Sequence, residues 1–436
     1  MNVNTEAKRI LEKVRYIKPI IVDIEGIPRG LIIRKKNSIE KLMEGVCFDG
    51  SSIKGHAKIE NSDLVAKIDL NTLKIASWEC DEMAIALCEV EDVNGKPYLE
   101  NPRMKLKEYV KHLAEKGINV KVGVELEYFL LKKENGRIFL NDNGEYFDLI
   151  DSTWEFQRKL IETLEDIGIK INKCHHEVAK GQYEISIKAA DPLTLADNIT
   201  VAKIIIKTLA RKHGLTATFM PKPFPNMNGS GMHIHLSIYR NGVNLFYMDE
   251  NEISKIGLHA IGGILKHAKG NSLIVSPTVN SYKRLAPGYE APTKICWGYS
   301  NRAAMIRIPR PIKNETCRIE YRHPDPSANP YLAILTIIET MINGVEEKLK
   351  PGEPCQQNAY RINGKYETLP GSLEEALKEF SKDETVKKIL GEETYLKIME
   401  LKKKEWNEYQ EYLEKNSEIE EQNITKWELE KYLEKM

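Results

Sequence analysis

The chain has 436 residues, and its 64 lysines and arginines are matched by 64 aspartates and glutamates. That length admits two domains, while the balance of charge argues against a basic nucleic-acid-binding field or an acidic tail. No apolar run is long enough for a membrane span, the N-terminus has no secretory apolar core, and the seven cysteines (47, 80, 88, 174, 296, 317, 355) are never spaced Cys-x-x-Cys, so a cytoplasmic protein with reduced thiols is expected.

Residues 1–100 read as short strands around Ile20–Ile24, Gly30–Arg34 and Met83–Val90, with one brief helix near 38–45. A turn at Asn94-Gly95-Lys96-Pro97 closes this region. Asn101-Pro102 then supplies an N-cap and a first-turn proline for an amphipathic helix to about Gly117, and the domain boundary is placed there, dividing the chain into 1–100 and 101–436. Beyond it, a strand over 119–131 is followed by a helix over about 152–166 that ends near Gly168. Asp191-Pro192 caps a further helix that runs to His213 and stops at Gly214, with a buried stripe at 195, 199, 202, 206 and 209. Ser372-Leu-Glu-Glu375 is a capping box, 392–416 a long charged helix, and Trp427–Leu433 a short amphipathic one.

The informative feature cuts across these elements. Glu125 and Glu127 alternate with Val124, Leu126 and Tyr128, so on a strand both carboxylates share one face. Polar residues also crowd the runs His175–Glu184 (with Glu177 and Glu184), Met232–Ser237 (with His233 and His235) and Arg318–Arg322 (with Glu320). Carboxylates aimed into one space need a cation between them. Five carboxylates with one imidazole make an oxygen-dominated set, suited to Mg²⁺ or Mn²⁺ rather than zinc or copper. Arg284, Arg302, Arg307, Arg318 and Arg322 cluster around the last of these carboxylates, and guanidinium forks match carboxylate and phosphate oxygens.

Seven segments in order, spread over nearly the whole chain, resemble glutamine synthetase. They are Phe48–Ser52, Val124–Glu127, His175–Gln182, Asn228–His235, Asn280–Pro292, Asn301–Pro309 and Arg318–Tyr331. The resemblance implies an α+β fold: a small N-terminal β-grasp-like domain and a large catalytic domain built on a curved antiparallel sheet flanked by helices. It implies an ATP-dependent ligase of nitrogen assimilation that makes L-glutamine from L-glutamate and ammonium through a γ-glutamyl phosphate, with two or more Mg²⁺ or Mn²⁺ ions per site. Glu127, Glu177 and Glu184 would hold one metal, and Glu125, His233 and Glu320 the other. Asn228, Gly229, Arg284 and Arg322 would bind glutamate. Arg302 and Arg307 would face the transferring phosphate, while Arg318, His235 and Ser237 would meet ATP. Glu290, between Pro287-Gly288 and Pro292, would close a flap over the reacting centre, and Asp49 would reach a neighbouring subunit's site to take a proton from ammonium. A dodecamer of two stacked hexamers is expected.

The run His175-His-Glu-Val-Ala-Lys-Gly-Gln182 is one residue shorter than in a major bacterial subtype and is similar to the archaeal, shorter-loop form. Tyr360 lacks the adenylylation context, so that modification is not expected. Control by glutamine, 2-oxoglutarate or a PII-type protein is implied instead, although Lys58 stands where better-known feedback-sensitive members carry arginine. Rival readings are a ligase joining glutamate to a polyamine, an inactive relative, and a guanidino kinase. Retention of Asp49, Glu290, the arginines and every metal ligand favours the ammonia ligase.

Overall fold

The computed structural model describes residues 5–35, 42–134, 137–149, 153–362, 364–416 and 423–435. The N-terminal region forms a sheet from β1 (Tyr16–Val22), β2 (Pro28–Gly30), β3 (Ile33–Arg34), β4 (Val46–Asp49), β5 (Asp63–Ile68), β6 (Lys74–Ile75) and β7 (Met83–Asp92). Its order is β2-β1-β7-β5-β4, and β1 runs parallel to β7 with Tyr16 opposite Met83 and Ile20 opposite Leu87. Half of the brief helix expected near 38–45, residues 38–41, falls outside the described residues; Leu42 and Met43 are helical.

Period-two alternation makes this sheet two-sided. Ala84, Ala86, Cys88 and Val90 join Ile17 and Ile21 in a small core under the helix Thr5–Lys13, which contributes Ala7, Ile10 and Leu11. Met83, Ile85 and Leu87 point the other way, with Ile20 and Val22, into the main core of the molecule. The two regions therefore share one apolar interior. Arg103 reinforces the seam from one buried position: its Nε and Nη2 donate to Asp197 at 2.9 and 2.8 Å, and Nη2 also reaches Asp69 at 2.8 Å.

The second sheet contains β8 (Asn119–Glu134), β9 (Arg137–Leu140), β10 (Ile171–His176), β11 (Gln182–Ala190), β12 (Thr216–Thr218), β13 (Met232–Arg240), β14 (Val243–Asn244), β15 (Trp297–Tyr299), β16 (Ile306–Ile308) and β17 (Ile319–Tyr321). Its main order is β10-β11-β8-β13-β17-β16-β15. It is antiparallel as expected except at one end, where β15 and β16 run parallel. There the chain turns through Ser300, at φ 53, and re-enters the sheet in the same direction.

The helix Pro192–Lys212 carries the expected cap, with Asp191 accepting from the Thr194 N–H, and ends before Gly214 at φ +71. Its stripe of Leu195, Ile199, Ala202, Ile206 and Leu209 is buried in the same core as Val122, Val124, Leu126 and Tyr128 of β8. This apolar packing fixes the register of β8 and so turns Glu125 and Glu127 to the opposite face. Ser372 caps its helix through the Glu375 N–H at 3.1 Å, but the Glu375 carboxylate accepts from Gly371 rather than from Ser372. Full reciprocal boxes occur instead at Thr425 with Glu428 and at Thr278 with Ser281. No described helix is long and apolar enough to cross a membrane.

Candidate active site

The registers of the second sheet set polar residues in cross-strand rows. Lys173, Ser186, Glu125 and His233 stand opposite one another across β10, β11, β8 and β13. The adjacent row is His175, Glu184 and Glu127. Across β8, β13, β17 and β16 a third row aligns Gly123, His235, Glu320 and Arg307. The interior-facing residues between these rows are apolar, which is why strand pairing alone brings four segments distant in sequence to one surface.

Two groups in this array have the geometry of cation sites. Donor atoms of Glu125, His233 and Glu320 lie within 4.8 Å of one another, as do those of His175, Glu177 and Glu184. The first group is the one expected from sequence. In the second, His175 stands where Glu127 was expected. Glu127 turns its Oε2 to the Gly231 N–H at 2.7 Å and the Gln182 amide at 3.2 Å, leaving Oε1 3.7 Å from His233 Nε2. Lys173 was not singled out either; its Nζ lies 2.8 Å from Glu184 Oε1 and 3.6 Å from Glu125 Oε1. The signal for both was present, because Lys173 and His175 alternate on β10 just as Glu125 and Glu127 do on β8.

The electrostatics express the same crowding. Burial, then the charges of Glu177 and Glu184, push the Glu127 carboxyl well above its ordinary value. Burial and Glu184 raise Glu177 to about 7. At Glu320, burial acts upward but is outweighed by Arg322, His235 and His233, and the carboxyl falls to about 2. Hydrogen bonds from His233 and His235 likewise outweigh burial at Glu125 and lower it. The raised pair, Glu127 and Glu177, marks the side of the site that is short of positive charge. Its oxygen-rich donors fit Mg²⁺ or Mn²⁺.

The arginines separate by depth. Arg322 donates to Glu320 Oε1 at 2.6 Å and Arg307 binds the other oxygen of the same carboxylate. Among the described residues the Nε of each is buried without a hydrogen-bond partner, so each fork keeps a donor for an incoming oxygen. Arg284 is buried beneath, with Nη1 on the His323 carbonyl at 2.8 Å and Nη2 on the Arg322 carbonyl at 3.1 Å. Arg302 is exposed on the loop after β15. Arg318 Nε donates to His235 Nδ1 at 3.1 Å, which leaves the proton on Nε2, 3.4 Å from Glu125 Oε1. Ser237 lies buried two residues beyond on the same face.

At the rim, Glu290 is exposed and left-handed at φ 58, two residues after Gly288 at φ +91. Its Oε2 accepts from the Asn228 amide at 3.4 Å, and its carbonyl accepts from Arg322 Nη2 at 3.4 Å. Beneath it, the buried Lys222 ammonium lies 3.4 Å from the centroid of the Tyr289 ring. Gly229 lies so close to Arg284 and Pro221 that a Cβ would fall 2.4 Å from the Pro221 carbonyl oxygen. Asp49 stands apart, exposed at the end of β4. Hydrogen bonds from Ser51 and Ser52 hold its carboxyl below the usual range, all of them within its own loop.

Carboxylates for cations, buried forks for anions and a hinged acidic loop above them suit transfer of a phosphoryl group to a carboxylate. Comparison with known proteins points the same way. Residues 13–93 match the family model described as glutamine synthetase, beta-Grasp domain, and 99–432 match glutamine synthetase, catalytic domain. The chain is 43% identical over 442 residues to the glutamine synthetase of Pyrococcus abyssi (strain GE5 / Orsay), covering 99% of each. It is 40% identical over 444 residues to that of Thermotoga maritima, covering 98% of each. Among solved structures it is similar to GmaS in complex with ADP, with a TM-score of 0.87 at 30% identity over 99% of both chains. It is also similar to Plasmodium falciparum glutamine synthetase, with a TM-score of 0.84 at 28% identity over 94% of this chain and 97% of that one.

Proposed function

The chain belongs to the glutamine synthetase family and is a glutamate–ammonia ligase that uses ATP; we propose how its residues divide that work. The observation that carries the reading is the pair of donor groups, Glu125/His233/Glu320 and His175/Glu177/Glu184, on one sheet face beside buried arginines with spare donors. Held by these residues, Mg²⁺ or Mn²⁺ would supply positive charge to offset that of the nucleotide phosphates. The first group would take the nucleotide-side ion. Glu177 and Glu184 would take the glutamate-side ion, with Glu127 turning in from Gly231.

Arg307 and Arg322 are positioned to hold oxygens of the transferring phosphate and of glutamate, Arg302 closes on them from its exposed loop, and Arg318, His235 and Ser237 meet the nucleotide. Arg284, seated on two carbonyls, sets the floor on which Asn228 and Gly229 receive the amino-acid end. The γ-carboxylate of glutamate attacks the terminal phosphorus, ADP leaves, and an acyl phosphate forms. Glu290 then shields it from water, ammonium gives a proton to Asp49, and ammonia displaces phosphate to give glutamine. Because Asp49 is exposed and its partners are all local, it is read as serving a neighbouring subunit's site within a dodecamer of two stacked hexamers. Glutamine, 2-oxoglutarate or a PII-type protein would act on that assembly.

A coupled ADP-release assay tests the reading. Release should require glutamate, ammonium and Mg²⁺ or Mn²⁺ together, should be poor with putrescine in place of ammonium, and should respond to added 2-oxoglutarate or glutamine. Release as fast with putrescine as with ammonium would instead favour the polyamine ligase.

A further inference from the structure

Lys173 occupies the outer end of the row that continues through Ser186 and Glu125 to His233. Its ammonium lies between the two cation-binding groups. It is 2.8 Å from Glu184 of one and 3.6 Å from Glu125 of the other, with His175 Nε2 at 3.4 Å. The Glu184 oxygen that it contacts, Oε1, also lies 3.3 Å from His175 Nε2. A divalent ion held by Glu177 and Glu184 would compete for that same carboxylate. Two cations cannot share it without strong repulsion at such separations.

The rest of the geometry suits a displaceable group rather than a fixed structural one. Glu184 is buried, so a cation there is needed on electrostatic grounds. The Lys173 side chain, by contrast, stays 45% exposed on the edge strand of the sheet, where its four-carbon stem can swing out to water at small cost. Ser186, opposite it in the row, donates its hydroxyl to Glu184 Oε1 at 3.0 Å and remains after the lysine has left.

We propose that Lys173 is an intramolecular competitor for the divalent cation: its ammonium shares Glu184 and Glu125 until an ion displaces it, which raises the concentration at which the site loads. This rests on the assignment of Glu184 and Glu125 as metal ligands made above. The function is one of tuning. A site that carries its own cation is filled only when free metal exceeds a threshold set by the strength of the Lys173 contacts.

The test is Mn²⁺ binding to the full-length protein without nucleotide, measured by calorimetry and by the loss of the free-ion paramagnetic resonance signal. Lys173→Met should bind Mn²⁺ about three- to tenfold more tightly than the parent, the range expected for removing one partly exposed competing charge. Lys173→Arg should stay within about twofold of the parent. Lys173→Gln provides a second neutral variant should the methionine impair folding. Equal or weaker binding in the neutral variants overturns the proposal while leaving the metal assignment standing. A parent that binds no Mn²⁺ at all removes that assignment, and this proposal with it.

Discussion

Arg322 Nη1 donates to Glu320 Oε1 at 2.6 Å, and both side chains are buried, so the charge of a proposed metal ligand and that of a proposed substrate ligand depend on each other. Arg307 holds the second oxygen of the same carboxylate. Glu320→Gln keeps the shape and one acceptor but leaves two guanidinium groups facing each other across a neutral amide. Breaking a buried pair from one side costs about 3 kcal/mol. The variant should melt at lower temperature, and Mn²⁺ titration should find one ion fewer per chain. Full stoichiometry with parental stability would exclude Glu320 as a ligand.

Gly231→Ala tests the floor of the site. A Cβ there would fall 2.6 Å from His233 Nε2 and 2.8 Å from Arg284 Nη2, so both side chains must shift. The backbone at Gly231 also holds Glu127 through its N–H. Overpacking of this kind costs about 1–3 kcal/mol. The expected result is an increase of about tenfold or more in KM for glutamate and weaker metal binding, with the chain still folded. Parental KM values would show that Arg284 does not set the amino-acid site.

Which parts of this could be read from sequence follows from how local each signal is. The Asp191 cap, the Leu195–Leu209 stripe and the shared face of Glu125 and Glu127 are short-range patterns, and each appears in the structure. The parallel pairing of β15 and β16 follows a short connection through the left-handed Ser300, which no periodicity announces. The exchange of Glu127 for His175 in the second donor group has a similar origin. The backbone N–H of Gly231, 104 residues away and just ahead of β13, donates to Glu127 Oε2. Period two places a side chain on a face; it does not say what else on that face will reach it first.

Asp49→Asn isolates the ammonium step. Asp49 is exposed, and among the described residues its carboxylate bonds only to Ser51 and Ser52, so the substitution should leave folding and metal binding unchanged. In steady-state kinetics with ammonium varied, kcat/KM for ammonium should fall by about 100-fold or more, the usual scale for loss of a general base. KM for ATP should hardly move. An unchanged ammonium dependence would remove Asp49 from the mechanism.

His56 links that same loop to pH. It is buried where the N-terminal region meets the helix that begins at Pro102, with Nε2 3.1 Å from the Asn101 amide. Burial, helped by the nearby Lys397 charge, lowers its pKa from 6.5 to about 4. The folded form thus refuses a proton that the unfolded chain accepts at about 6.5. For this depressed base, stability is complete above pH 6.5, is lost as pH falls from there towards 4, and loses no more once both states are protonated. The shift corresponds to about 3 kcal/mol across that window. His56→Gln cannot titrate, so its unfolding midpoint should vary less between pH 7 and 4 than that of the parent; equal slopes would show that the ring is not the titrating group. The consequence should reach activity before global unfolding. The N–H groups of Ile53 and Ala57 both bind the Gly50 carbonyl, and the His56 N–H binds Ile53, so this turn is the frame that presents Asp49. A charged His56 would be expelled from its pocket and loosen that frame. The ammonium dependence of the parent should therefore deteriorate on acidification while Mn²⁺ binding at neutral pH remains intact, and His56→Gln should shift that loss to lower pH.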